Sequence, residues 1–336
     1  MRPGLVLVVG PNGVGKTNLL EAIHVATQGF SPRTRTDSQL VRFGDDGARV
    51  AVTGHRGEVT LEIELTIQPG EGKRARLNGA QLRAAEQLRS AVSTLVFTPD
   101  RLGVVKGAPA ARRAYFDRVL GRLLPARATL STEYGAAVAQ RNAALRRSAA
   151  GYSSSSDAIE PWTERVAALG AELVASRLEA LDILSPSFAE RAGELGLPQA
   201  ALRYEGEPPT RESLDAALGR DLERGTTSLG PHLDDILLSS AGRDLRSFGS
   251  QGEQRLALLA LLLAEAGAIT ARAGVAPLLL LDDVLSELDP ARRRLLADRV
   301  RGVGQALITA TDAAMLPADS DQLIVVTPGT ASEVAA

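Results

Sequence analysis

Residues Gly10 to Thr17 read GPNGVGKT, the pattern G-x-x-x-x-G-K-T, and they follow the apolar run Leu5-Val6-Leu7-Val8-Val9. From Thr17 to Ile23 apolar residues recur at helical spacing, so the order is strand, glycine-rich loop, helix. A strand must deliver this loop and a helix must leave it, which commits the start of the chain to an α/β arrangement. Gly10, Gly13 and Gly15 let the backbone curl with its N–H groups pointing inward, and the following helix adds the positive end of its dipole. The product is a cradle for phosphates. Lys16 can reach β- and γ-phosphates as a point charge, and the Thr17 hydroxyl is placed to ligate Mg²⁺. Gly10, Pro11, Asn12, Gly13, Val14, Gly15, Lys16, Thr17 and Asn18 are therefore the first candidates for binding ATP. The alternative, a structural glycine turn with a chance lysine, does not account for the full pattern.

The acidic half of such a site lies far downstream. In LLLLDDVLSELD an apolar strand ends on Asp282 and Asp283, where a Walker B pair belongs. Asp282 is the candidate to hold Mg²⁺ and Asp283 to orient or deprotonate an attacking water. With Lys16 they form the expected catalytic set. Thirty-two residues before Asp282 stands SFGSQGEQR, followed by a long apolar-faced helix. A serine and a glycine at a helix start fit an anion site, and they fit ordinary N-capping equally well.

The 336 residues are 44% hydrophobic with mean hydropathy near zero, which describes a well-cored chain large enough for two lobes. No run of about 18 apolar residues occurs and no signal-peptide layout opens the chain, so a cytoplasmic protein without a membrane partner is expected. Cysteine is absent, which excludes disulfides and thiolate metal sites. The three histidines, His24, His55 and His232, are too scattered in sequence to form a cluster.

Along the chain, Val50 to Val52 and Val59 to Ile67 read as an antiparallel hairpin, Asn78-Gly79 as a tight turn, and STLVFTP as a further strand. From about Ala110 to Arg224 the texture is helical, broken by the serine-rich GYSSSSD at 151–157 and by prolines. Strands then return around Ile236 to Ser239, Pro277 to Leu281, Ala306 to Thr309 and Gln322 to Val326. The expected layout is a split head, 1–109 and 226–336, interrupted by a helical arm at 110–225.

The order of Ser250, Gly252, Glu253 and Gln254 ahead of the Asp282 strand resembles the signature motif of ABC-type ATPases, and SELD at 286–289 looks like their D-loop. This resemblance implies that Ser250, Gly252 and Gln254 address the γ-phosphate of ATP held by a second subunit. Lys16 and Ser250 are 234 residues apart, too far for a transporter's nucleotide-binding domain, whereas an SMC or Rad50 head would carry hundreds of coiled-coil residues. GPNGVGKTNLLEAIH, FTPDRLGVVKGAPAARRAYFD, TSLGPHLDDILL, FGSQGEQR and PLLLLDDVLSELD together resemble the RecF family, in the right order over almost the whole chain. The resemblance implies an ABC/SMC-type P-loop NTPase head (lobe I, mixed sheets around a central helix) with a helical arm (lobe II). It further implies ATP-driven homodimerisation on DNA, slow DNA-stimulated ATP hydrolysis, and work with RecR and RecO to direct RecA onto gapped DNA.

Three departures stand out. Only nine residues precede Gly10, where the family carries a longer leading segment, so the family's adenine contacts and one sheet edge are not carried over to this chain. The family's GPHRDD reads GPHLDD, with Leu233 for arginine. TATD at 309–312 has threonine where many ABC ATPases place a switch histidine, which would suit slow turnover. For DNA, residues 101–150 hold ten basic against two acidic residues, while 151–225 hold seven arginines against fourteen acids. Either the basic half presents a phosphate-binding face for duplex DNA near single/double-strand junctions, with Arg112, Arg113, Arg118 and Arg122 as candidates, or the two halves pair with each other. A structural assembly protein and a membrane-coupled pump subunit are the competing classes.

Overall fold

The computed structural model describes residues 1, 3–34, 36–150, 158–301, 303–316 and 319–334; the GYSSSSD segment lies outside the described residues. Thirteen strands are described: β1 (Leu5–Val9), β2 (Ala48–Arg56), β3 (Val59–Gln68), β4 (Gly72–Leu77), β5 (Ala80–Gln81), β6 (Thr94–Phe97), β7 (Ala201–Glu205), β8 (Asp235–Ser240), β9 (Arg243–Asp244), β10 (Leu278–Leu281), β11 (Ala306–Ala310), β12 (Gln322–Thr327) and β13 (Thr330–Val334). The helices are α1 (Lys16–Gln28), α2 (Ala85–Ala91), α3 (Gly103–Lys106), α4 (Pro109–Leu123), α5 (Leu130–Ala149), α6 (Glu160–Glu194), α7 (Arg211–Ala216), α8 (Leu218–Arg224), α9 (Leu245–Phe248), α10 (Gln251–Ala273) and α11 (Pro290–Arg301).

The chain divides into two compact units, the first made of Met1–Arg101 and Ile269–Ala336 and the second of Leu102–Ala268. In the first unit a six-stranded sheet has the order β13-β12-β1-β11-β10-β6. Every pairing from β12 to β6 is parallel, and β13 alone runs antiparallel at one edge. Parallel strands covered on their faces are apolar throughout; β1 and β11 are buried at every residue. A second, antiparallel sheet has the order β2-β3-β4-β5. Its last turn is Asn78-Gly79, with φ of 49° and 81°, the left-handed pair that a two-residue hairpin turn requires.

Helix α1 lies between the two sheets. Leu20 and Ile23 join Val6, Val8, Val96, Leu280 and Leu307 in one core, while Val25 packs with Leu65 and Ile67, and Ala26 with Ile63 and Leu88. A helix buried on two faces is apolar or has its polar side chains bonded internally past its first turn, as Thr27 is to the Ile23 carbonyl and Gln28 to the Val92 carbonyl. Leu20, Ile23, His24, Val25, Ala26, Thr27 and Gln28 are all buried.

The second unit is helical with a small antiparallel sheet, order β7-β8-β9. Its core joins Leu120 of α4, Leu130, Tyr134 and Val138 of α5, Val166, Leu169 and Leu173 of α6, and Leu214 of α7. The expected boundaries at 109/110 and 225/226 are corrected by the compact division, which falls at 101/102 and 268/269. The reason is physical. β8 pairs with β7 over five residues, Arg112 is bonded to Asp235, and Tyr115 and Arg122 both donate to Glu265, so residues 226–268 are tied to the helical segment. Strand β7 was not expected there; ALRYE is five residues long between two helical stretches, too short for its alternation to stand out.

Helix α10 is long and apolar enough to cross a membrane, with mean hydropathy 1.7 over its best window, yet 72% of that window is buried inside the protein. It is thus a core helix by its surroundings, and Glu265 interrupts its apolar run.

The deepest ion pair in the second unit is Arg141 with Asp221, both 0% exposed and 2.7 Å apart. Arg141 also donates to Thr163 and Thr227. Removing one partner strands a buried charge. We expect Arg141→Leu to lower unfolding free energy by about 3–5 kcal/mol in urea titrations. The double variant Arg141→Leu/Asp221→Leu should regain most of that loss; a single-variant loss under about 1 kcal/mol would match an exposed pair instead.

Candidate nucleotide site

The site is assembled at the end of β1. Gly10 leaves that strand where an added Cβ would stand 2.6 Å from the Val326 carbonyl of neighbouring β12, so only glycine fits. Gly13 and Gly15 have φ of 79° and 114°, and Gly15 caps α1 in the left-handed conformation. The loop closes with Val14 N–H on the Pro11 carbonyl, and α1 begins with Leu19 N–H on the Gly15 carbonyl. Lys16 Nζ donates to the carbonyls of Gly10 at 2.7 Å and Pro11 at 3.0 Å, which holds its charge along the loop.

Asp282 and Asp283 arrive from the end of β10. Asp282 is 6% exposed, and its N–H donates to the Phe97 carbonyl of β6. The Thr17 hydroxyl donates to its carboxylate at 2.9 and 3.1 Å, across 265 positions of sequence. Asp283 has φ 50° and ψ 28°, the left-handed region in a residue other than glycine; such conformations cluster at functional sites. Asn12, Gly13, Gly15, Lys16, Thr17, Asn18, Asp282 and Asp283 line one cavity of about 230 Å³, together with Arg33 and Thr309.

Sequence reasoning missed Arg33 and met Thr309 only as the first residue of TATD. Arg33 follows α1 in a loop where Ser31 accepts the N–H groups of Arg33 and Thr34, and its guanidinium is 3.3 Å from Glu21 of α1. No motif marks Arg33; only the loop's return to the cavity does.

Thr17 and Asp282 suit Mg²⁺. They offer a hydroxyl and a carboxylate, both hard oxygen donors, at the rim of a polar cavity. Among the described residues no group of three or more His, Asp or Glu forms a self-sufficient cage.

The signature residues belong to the second unit. Ser250 and Glu253 form a reciprocal capping box at the start of α10: Glu253 N–H donates to Ser250 Oγ at 3.2 Å, and Ser250 N–H to Glu253 Oε2 at 2.8 Å. The Ser250 N–H holds the Glu253 carboxyl below its usual range. At Gly252 an added Cβ would meet nothing nearer than Ser250 Oγ at 3.9 Å. Gln254 is corrected as a ligand contact. It is 5% exposed and its amide donates to the Leu245 and Gly249 carbonyls, so it braces the loop from within.

Three of the four arginine candidates for DNA are likewise engaged within the protein. Arg112 is 1% exposed, held by Asp235 through two bonds and by the carbonyls of Val105 and Gly107. Arg113 donates to the Asp234 carbonyl at 2.6 Å, and Arg122 pairs with buried Glu265. Arg118 is exposed. GPHLDD is half-buried at most positions. His232 Nε2 donates to the Thr227 carbonyl at 3.1 Å, which leaves Nδ1 to accept from the Tyr134 hydroxyl at 2.8 Å. Burial lowers the His232 pKa, consistent with a neutral ring in this arrangement. Asp234 accepts from the Tyr204 hydroxyl at 2.5 Å, and only Leu233, at 55%, is exposed.

The RecF/RecN/SMC N terminal domain family model matches residues 1–333. Relatives named DNA replication and repair protein RecF are similar over nearly the whole chain. The protein of Heliobacterium modesticaldum is 36% identical, over 92% of this chain and 87% of its own. That of Frankia alni is 36% identical over 94% and 90%. Among solved structures, the recombination mediator protein RecF-ATP in the RecFOR pathway superposes with a TM-score of 0.88 at 27% identity, covering 100% of this chain and 92% of that one. An Smc head bound to the C-winged helix domain of ScpA, with a TM-score of 0.58 at 20% identity, shares the fold. With this match in sequence and fold, the chain belongs to the RecF family, an ABC/SMC-type head with mixed sheets around a central helix.

Proposed function

We propose that the protein is an ATP-dependent DNA-binding ATPase of DNA replication and recombinational repair. The observation that carries this reading is the meeting of Lys16, Thr17, Asp282 and Asp283 around one polar cavity. The names of the relatives supply replication and repair, and the RecF-ATP structure supplies the nucleotide. Lys16 would neutralise the β- and γ-phosphates, the inward N–H groups of Gly13 to Thr17 would cradle them, and Thr17 with Asp282 would hold Mg²⁺. Asp283 would take the proton of the attacking water.

The start of α10 is the candidate to address the γ-phosphate on a second copy, because a 23-residue helix presents the positive end of its dipole there. Gly252 leaves that end uncovered by a side chain. The proposed cycle is ATP-driven dimerisation on DNA, slow hydrolysis, and release, working in the cytoplasm with RecR and RecO ahead of RecA loading at gapped DNA. Duplex backbone near single/double-strand junctions is the DNA target, with Arg118, Lys106 and Arg147 among the exposed basic residues of the helical unit that would meet phosphates.

Three variants separate the steps. Lys16→Met should weaken ATP binding by at least about tenfold in calorimetry, the loss of a charged hydrogen bond worth about 1.5–3 kcal/mol. Unchanged affinity would sink the nucleotide assignment. Ser250→Arg should bind ATP as a monomer and fail to dimerise, at a cost near 1 kcal/mol for the lost cap; ATP-bound dimers in sedimentation would refute a site shared between copies. Asp283→Asn preserves shape, and asparagine tolerates the left-handed backbone, so ATP and Mg²⁺ should still bind while hydrolysis falls about 10²–10⁴-fold. After ATP washout at one fixed salt concentration, this variant should hold DNA longer than wild type. Equal release rates, with hydrolysis lost, would mean that the ATP cycle does not time release.

A further inference from the structure

The buried strand β11 carries one hydroxyl into the site, and neither the nucleotide loop nor the acidic pair accounts for it. Thr309 is 0% exposed. Its Oγ1 donates to Asp282 Oδ1 at 2.7 Å and accepts the Asp283 N–H at 2.8 Å. The direction of both bonds is fixed by chemistry. An amide nitrogen can only donate, so the hydroxyl must accept from Asp283, and its single hydrogen is committed to Asp282.

Each bond does something different. The Asp282 carboxylate has two oxygens; Thr309 holds Oδ1, while Thr17 approaches Oδ2 most closely, at 2.9 Å. The carboxylate is therefore pinned from behind, with its other oxygen turned to the cavity. A charge-assisted bond in a buried setting resists rotation of that group. At Asp283 the backbone has φ 50°, a region that aspartate enters more readily than most residues but still at a cost that neighbouring contacts must offset. The bond from its N–H to a residue locked in a fully buried parallel strand supplies such a contact. Thr309 sits opposite Val8 of β1 in register, so it is fixed to the strand that delivers the phosphate loop.

We propose that Thr309 is a positioning residue that sets both acids at once, turning Asp282 toward Thr17 for Mg²⁺ and holding the Asp283 backbone in the conformation that aims its carboxylate. The inference rests on the Mg²⁺- and ATP-binding function proposed above. Metal-supporting groups of this kind are worth about 10–100-fold in metal affinity or activity.

The test compares Thr309→Val, which keeps the branched shape and loses the hydroxyl, with Thr309→Ser, which keeps the hydroxyl. Thr309→Ala is added in case valine at this position fails to fold, as judged by circular dichroism. ATP affinity is measured by calorimetry across a Mg²⁺ titration and in EDTA, and exchange of the Asp283 amide is followed by hydrogen–deuterium mass spectrometry. In the valine or alanine variant the Mg²⁺ midpoint should rise about 10–100-fold and turnover fall by a similar factor. ATP affinity in EDTA should stay at the wild-type value, and the Asp283 amide should exchange faster. Serine should restore all of these. An unshifted Mg²⁺ midpoint and an equally protected amide in folded valine or alanine variants would overturn the inference alone. So would serine as impaired as valine, since the role would then be packing. Wild-type protein that binds no ATP, or binds it without regard to Mg²⁺, would overturn the proposed function and the inference with it.

Discussion

The pairing of β1 with β11 and β12 in one parallel ladder is the constraint on which the site depends. Val8 stands opposite Thr309 and Ile324, and Leu281 opposite Ile308 and Phe97. Because these strands run the same way, their carboxyl ends lie along one edge, where α/β sheets place their ligands. The phosphate loop leaves one strand at that edge, the two aspartates leave a second, and Thr309 stands near the end of a third. A one-residue slip would turn every side chain over and take the Thr309 hydroxyl away from Asp282 and Asp283. The 2.9 Å contact between residues 17 and 282 is a consequence of sheet register.

Helix α1 converts that edge into a rigid cradle. A phosphate loop on a lone strand–helix unit would be free to breathe. Here the helix behind it is clasped by the parallel sheet through Leu20 and Ile23 and by the antiparallel sheet through Val25 and Ala26. The hairpin strands β2 and β3 therefore serve the site without contributing a residue to the cavity. Gly10 shows the tightness of the fit, since the β12 backbone occupies the space a side chain would need.

What the sequence made legible were features written in neighbouring residues. The loop, its flanking strand and helix, the apolar strand before Asp282, and the Asn78-Gly79 turn each carry their meaning within a short window, and the structure has those elements where the patterns put them. What stayed illegible depends on partners far away. Arg112 looked like a surface cation because its own helix gives no sign of Asp235, 123 positions on. Gln254 looked like a ligand contact because the carbonyls it reaches come from a loop whose path no periodicity encodes. Thr309 drew notice only as part of a four-residue motif, since a threonine in an apolar strand is ordinary until its hydroxyl is found between two acids. The unit boundaries were displaced for the same reason: β8 reads as one more head strand until it is seen paired with β7.

The charge asymmetry of the helical segment is resolved by the same long-range pairing. Arginines of its basic half meet acids of its acidic half in Arg127–Glu179 and Arg141–Asp221, while Arg177–Asp117 pairs the two halves with the charges reversed. The first pair is exposed and contributes little. The other two are buried on the arginine side, where a mispaired charge would be costly, so their value lies in excluding other packings more than in net stabilisation. Arginine suits this task because its planar fork satisfies a carboxylate and nearby hydroxyls or carbonyls together, as Arg177 does with Asp117 and the Pro231 carbonyl. A net of positive charge along a stretch of sequence therefore overstates the positive charge at its surface. Whatever meets a phosphate backbone must be drawn from the cations left over once the interior has taken its share.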